Sequence, residues 1–254
     1  MALVDVQVAK GVARVVLDRP PLNVIDLGMA GTLAEALEDV RSRPGLSLLL
    51  LEARGKAFCA GVDVRDHLPD RGEEMLHEFH RICRLLLEME CVVVAAVQGP
   101  ALGGGCELVQ VCDLAVASSR AVFGQPEIKL GVFPPVAAVA LPRIVPPQIA
   151  RDMLFTGRIL SAEEARQAGL VSRVAEEKEF PAVVEKLVGE IGSLSASSVR
   201  LTKRAIRRAG NRIEPAEIDA AERFYVEELM NTPDAIEGLK AFLEKRLPAW
   251  TQGG

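Results

Sequence analysis

Two carboxylates stand among apolar neighbours. Glu107 lies in Ala101-Leu-Gly-Gly-Gly-Cys-Glu-Leu108, between a cysteine and a leucine. Glu127 lies in Phe123-Gly-Gln-Pro-Glu-Ile-Lys-Leu-Gly131. An acid in such a setting is either a neutralised structural group or a tuned acid/base. Two of them facing one cavity could hold a water and divide base and acid roles. Taken singly, Glu107 also fits charge complementarity at a helix N-terminus. Glu127 also fits a surface pair with Lys129, and sequence alone does not bring the two acids face to face.

Two glycine-bearing segments accompany them. Gly103, Gly104 and Gly105 follow an apolar run and precede a helical pattern (Leu108, Val111, Cys112), so they are expected to form a helix's first turn. Unpaired N–H groups and a positive dipole end are found there, although a tight turn that binds nothing has the same appearance. The second segment is Lys56-Ala-Phe-Cys-Ala-Gly-Val-Asp63, directly after a strand and a glycine. Neither carries the GxGxxG spacing of a dinucleotide site or a Walker lysine.

The elements that must position these residues follow from periodicity. Residues 12–17, 46–51 and 92–97 are short apolar runs that read as buried strands, and 113–117 and 121–123 as two more. Leu27, Leu33, Leu37 and Val40 mark one helix. Met75, Phe79, Ile82, Leu86 and Met89, spaced 4, 3, 4, 3, mark another. Alternation of strands and helices predicts an α/β domain. Beyond residue 145 strand signals fade. Ser161-Ala-Glu-Glu164 is a capping box, Gly169 ends its helix, and Pro181, Pro215 and Pro233 each stand at an expected first turn. The expected organisation is a mixed core over 1–194 and a helical region over 195–254. That region is too small to bury its own apolar faces, so it should pack on the core or on another subunit.

The chain has 254 residues, 49% of them hydrophobic, and a net charge of −5. That suffices for a full core and excludes a disordered or collagenous chain. Mild acidity argues against a general nucleic-acid binder. Arg200, Lys203, Arg204, Arg207 and Arg208 recur at helical spacing and form one basic face, read as solvated or inter-subunit, with contact to a ligand phosphate or to RNA as the functional alternatives. The five cysteines form no CxxC pair, so reduced, mostly buried thiols in a cytoplasmic protein are expected, with no metal. The first residues lack a basic, then apolar, secretion signal, and no apolar stretch reaches membrane-spanning length.

Five segments in order resemble the crotonase (enoyl-CoA hydratase/isomerase) family: Ala57–Asp63, Gly99–Leu108, Cys112–Ala115, Phe123–Ile128 and Thr156–Ala165. The likeness runs from about residue 10 to about 247. It implies a spiral of ββα units with a C-terminal helical trimerisation region, assembled as a homotrimer or dimer of trimers. It implies an acyl-CoA thioester as substrate, with CoA part of that substrate and no separate cofactor. The thioester oxygen would be gripped by the backbone N–H groups of Ala60 and Gly104. Losing one such donor typically costs about 3–4 kcal/mol of barrier. Glu107 would activate water and Glu127 would protonate the α-carbon. Retention of both acids favours hydration over decarboxylation, dehalogenation or a purely binding role, with enoyl-CoA isomerisation and a non-catalytic, RNA-binding homologue as the alternatives.

By the same resemblance, CoA would be met by Lys56, Ala60, Asp63 and Val64, and by Phe242 and Lys245 reaching from a neighbouring subunit. A mobile loop covering the acyl group would lie near Val64–Gly72, with His67 in it. The chain departs from common hydratases after Gly131, where Val-Phe-Pro-Pro-Val-Ala-Ala replaces a glycine-rich stretch. This departure, with Arg19-Pro-Pro-Leu-Asn-Val-Ile25, is similar to the branch that hydrates cyclohexa-1,5-diene-1-carbonyl-CoA. Phe133, Pro134 and Val136 would then form a stiff acyl-pocket wall suited to a flat ring, with a straight-chain enoyl-CoA as the alternative.

Overall fold

The computed structural model describes residues 3–210 and 213–251. Residues 1–2, in the N-terminal stretch read as lacking a secretion signal, and 211–212 and 252–254, in the expected helical region, lie outside them.

Strands β1 (Val4–Ala9) and β2 (Val12–Leu17) form a hairpin across Lys10 and Gly11, which both take positive φ. The register Ala9↔Val12 leaves a two-residue turn. Sequence reading found β2 but not β1, because an edge strand with one wet face carries no continuous apolar run. Helix α1 (Leu27–Ser42) follows, capped by Asp26, whose carboxylate accepts from Met29 N–H at 2.9 Å. Then come β3 (Leu48–Ala53), α2 (Gly72–Glu88), β4 (Val92–Val97), β5 (Ala101–Leu102), α3 (Gly104–Gln110), β6 (Leu114–Ser118) and β7 (Val122–Gly124). Strand β3 lies two residues later than expected. Leu46 and Ser47 lead into it, and pairing with β2 begins at Val12↔Leu48.

The main sheet has the order β1-β2-β3-β4-β6-β9, parallel from β2 onward, where β9 is Arg173–Ala175. Its central strands are apolar on both faces because helices cover them, as parallel crossovers require. A small sheet, β5-β7-β8 with β8 at Ile159–Ser161, runs beside it. Bridges Ile25↔Val62 and Cys59↔Ala101 continue its line. Each turn of the chain thus gives a strand to the main sheet, an extended piece to the small one, then a helix. That is the ββα spiral.

The later helices are α4 (Pro135–Ile144), α5 (Pro147–Thr156), α6 (Ala162–Gln167), α7 (Phe180–Gly192), α8 (Ala196–Arg208), α9 (Pro215–Glu227) and α10 (Pro233–Leu243). The Ser161/Glu164 capping box is present, and Pro181, Pro215 and Pro233 each open a helix. Helix α9 packs on α2 and α4, and α10 on the 3-10 turns Val64–His67 and Pro126–Leu130. The basic face of α8 is divided. Lys203 is buried, and its Nζ binds Asp113 Oδ2 at 2.6 Å and Cys91 O at 2.8 Å. Cys59, Cys83, Cys91 and Cys106 are buried free thiols and Cys112 is half-buried. Among the described residues no helix is long and apolar enough to cross a membrane.

Candidate active site

Gly103 is the residue on which the site turns. Its φ of +52° lets the chain leave β5 and enter α3 at once. A methyl group there would stand 2.5 Å from Glu127 Oε1, so only glycine lets that acid approach. At Gly105 a methyl would stand 2.1 Å from Cys59 O. The first turn of α3 therefore lies flush against the Cys59–Gly61 backbone. A methyl at Gly61 would be 3.7 Å from Gly104 N, which shows how closely the two segments meet.

The backbone donors at this junction differ from the expected pair in one position. Gly104 opens α3, so its N–H has no intrahelical acceptor. Ala60 does not qualify: its N–H donates to Leu22 O at 3.0 Å. The parallel bridge explains what replaces it. Ile25 N–H donates to Gly61 O at 2.9 Å and Asp63 N–H donates to Ile25 O at 2.8 Å. Such pairing uses alternate residues, so the Val62 N–H is turned away and meets no acceptor among the described residues. Val62 and Gly104 are thus free donors at this junction among the described residues. Sequence reasoning chose the wrong residue because strand phase in this segment is set by its neighbour at Ile25.

Glu107, on α3, is 3% exposed. Its Oε1 accepts from Ala137 N–H at 2.9 Å, and Val136 N–H also donates to the carboxylate. Both donors belong to the first turn of α4, which Pro135 opens. The stretch after Gly131 is thus more than a wall. Its helix N-terminus holds the Glu107 carboxylate. Burial pushes the Glu107 carboxyl up to about 7, and the two N–H groups oppose the rise. Glu127 sits in the 3-10 turn Pro126–Leu130, not an irregular loop. Burial first, and then the charge of Glu107, hold its proton on well above the ordinary glutamate value. The charge of Glu107 adds to the cost of ionising Glu127, so the two acids titrate as a coupled pair.

Three residues around the acids carried no signal in sequence reading. Gln125 is fully buried. Oriented to satisfy its neighbours, its amide donates to both Glu127 oxygens at 3.2 Å and accepts from Gln110 Nε2 at 2.8 Å. Gln110, buried on α3, completes that chain. Tyr225 of α9 is 1% exposed, with its ring centroid 5.3 Å from that of Phe133. Polar residues inside apolar stretches were the available clue for the two glutamines.

Pro134 and Val136 are buried, and Phe133 packs between Phe224, at 5.7 Å, and Tyr225. Phe133 also lines an apolar hollow of about 630 Å³ with Ile128, Leu154 and Phe155. Asp63 caps the turn Val64–His67 and binds Arg65 at 2.5 Å, which holds its carboxyl below the usual range. His67 lies in that turn, with Nδ1 3.0 Å from Asp63 O. Lys56 and Lys245 are exposed, and Phe242 near the end of α10 is 53% exposed.

Fold and site together define a crotonase-type protein with a buried and a half-buried acid beside two free backbone donors. A family model described as enoyl-CoA hydratase/isomerase matches residues 7–253. The chain belongs to the enoyl-CoA hydratase/isomerase family. It is 39% identical to a cyclohexa-1,5-dienecarbonyl-CoA hydratase of Thauera aromatica, over 93% of this chain and 92% of that one. It is 36% identical to a crotonyl-CoA hydratase of Syntrophomonas wolfei, over 91% and 90%. A solved enoyl-CoA hydratase from Mycobacterium avium subsp. paratuberculosis K-10 superposes with a TM-score of 0.86 at 30% identity, covering 99% of both chains.

Proposed function

We propose that this chain is a lyase that adds water to a double bond conjugated with a CoA thioester. The observation that carries the reading is the acid pair, Glu107 buried and Glu127 half-buried, at one junction with two unpaired N–H groups. Attack of water on the β-carbon pushes charge onto the thioester oxygen. The N–H groups of Val62 and Gly104 stabilise that charge without reorganising. Glu107, whose carboxylate two backbone N–H groups stabilise, takes the proton from water. Glu127, which holds its proton more strongly, gives it to the α-carbon. CoA is part of the substrate and no separate cofactor enters.

The acyl group we assign is a cyclic dienoyl ring, of the cyclohexa-1,5-diene-1-carbonyl type. Phe133 wedged between Phe224 and Tyr225, and the short helix entry at Pro134 and Pro135, support a rigid, flat pocket wall. The relative from Thauera aromatica supports the same choice. Lys56, Val64, Phe242 and Lys245 are assigned to CoA, the last two from a neighbouring subunit of a trimer or dimer of trimers.

The test is a panel of thioesters, crotonyl-CoA beside the cyclic diene, assayed for water addition in heavy-oxygen water. Label in the product marks hydration, and unlabelled product marks isomerisation. Glu107→Gln and Glu127→Gln are each expected to lower kcat by about 10²- to 10⁴-fold. Unchanged rates in both variants would defeat the proposal.

A further inference from the structure

Tyr225 is one of the buried polar groups that the mechanism above leaves unused. Its hydroxyl is buried, with no hydrogen-bond partner among the described residues. A buried phenol left so costs about 1–3 kcal/mol, a cost that phenylalanine filling the same space would not carry. Its surroundings say where it points. The ring stands edge-on to Phe133. It shares an apolar cluster with Val132 and Met75, against which Val62 also packs. After burial itself, the negative charges of Glu127 and then Glu107 oppose loss of its proton. The hydroxyl therefore stays a donor and lies within reach of the field of both acids.

We propose that Tyr225 Oη is a substrate-contacting group of the acyl site, donating a hydrogen bond to the oxygen that hydration places on the acyl chain. The ligand class this selects is a hydroxyacyl-CoA over its unhydroxylated counterpart. The inference rests on the hydratase reading for its chemistry, yet its test reads binding and not turnover. A donor fixed on α9 and wedged by Phe133 is pre-ordered, so it discriminates without ordering cost. It also places the C-terminal helices in the chemistry of the site, since α9 alone supplies this group.

The experiment is titration calorimetry in a Glu107→Gln background, which stops turnover, with and without Tyr225→Phe. The probes are each enantiomer of 3-hydroxybutyryl-CoA, and butyryl-CoA. Loss of the hydroxyl is expected to weaken one hydroxyacyl enantiomer about tenfold and to leave butyryl-CoA unchanged. The melting temperature is not expected to fall, because no protein hydrogen bond is lost. Equal weakening of all ligands would make Tyr225 a space-filler, and no weakening of either enantiomer would remove it from the site. Either result overturns the proposal. Failure of wild-type enzyme to add water to any thioester counts instead against the hydratase reading.

Discussion

At the scale of single residues, the two acids set how the protein responds to pH. Burial raises both carboxyls above the ordinary value of 4.5. The folded state therefore binds more protons than the unfolded chain in the interval above 4.5. Stability against unfolding falls as pH rises through that interval, because the unfolded chain ionises these acids freely and the folded one does not. Denaturant titrations from pH 4.5 to 7.5 should show this slope, and Glu107→Gln should flatten it. The proposed mechanism needs one acid ionised and the other protonated, so kcat/KM is expected to be bell-shaped in pH.

At the scale of elements, two helix N-termini meet at the site. That of α3 offers the Gly104 N–H, and that of α4 grips Glu107. Their separation depends on α3 resting on the Cys59 backbone, where no side chain fits. Gly105→Ala is expected to lift α3 off that backbone, lowering stability by about 1–3 kcal/mol and reducing kcat more than KM. A thermal melt together with steady-state kinetics checks both. The 3-10 turn that carries Glu127 depends in the same way on α10, because a methyl at Gly238 would stand 2.1 Å from Leu130 O.

At the scale of the molecule, the C-terminal helices are fastened to the core by buried polar contacts as well as by apolar packing. Lys203 ties α8 to Asp113 and to Cys91 O. His80 Nδ1, fully buried on α2, lies 2.6 Å from Glu222 Oε2 on α9. Lys203→Ala removes one member of a buried ion pair and is expected to cost about 3–5 kcal/mol, read as a loss in denaturant midpoint. Leu201 and Ile206, also on α8, stay more than half exposed, and such side chains suit the subunit contacts proposed above. Sedimentation of the wild-type chain measures whether three or six copies assemble.

Local pattern determined much of this. Continuous apolar runs marked β2 and β4 because both faces of a parallel strand are buried. Glycines 103–105 marked a helix start because nothing else permits that approach, and the misplaced acids Glu107 and Glu127 stood out against their neighbours. Tertiary structure decided the rest. Whether residue 60 or 62 keeps a free N–H depends on the strand phase imposed by Ile25, from another turn of the spiral. That Glu107 is held by α4, that Tyr225 of α9 packs on Phe133, and that Gln125 bonds Glu127 depend on segments brought together from distant parts of the chain. Hydrophobic periodicity encodes which face of an element is buried, and carries no record of which partner will cover it.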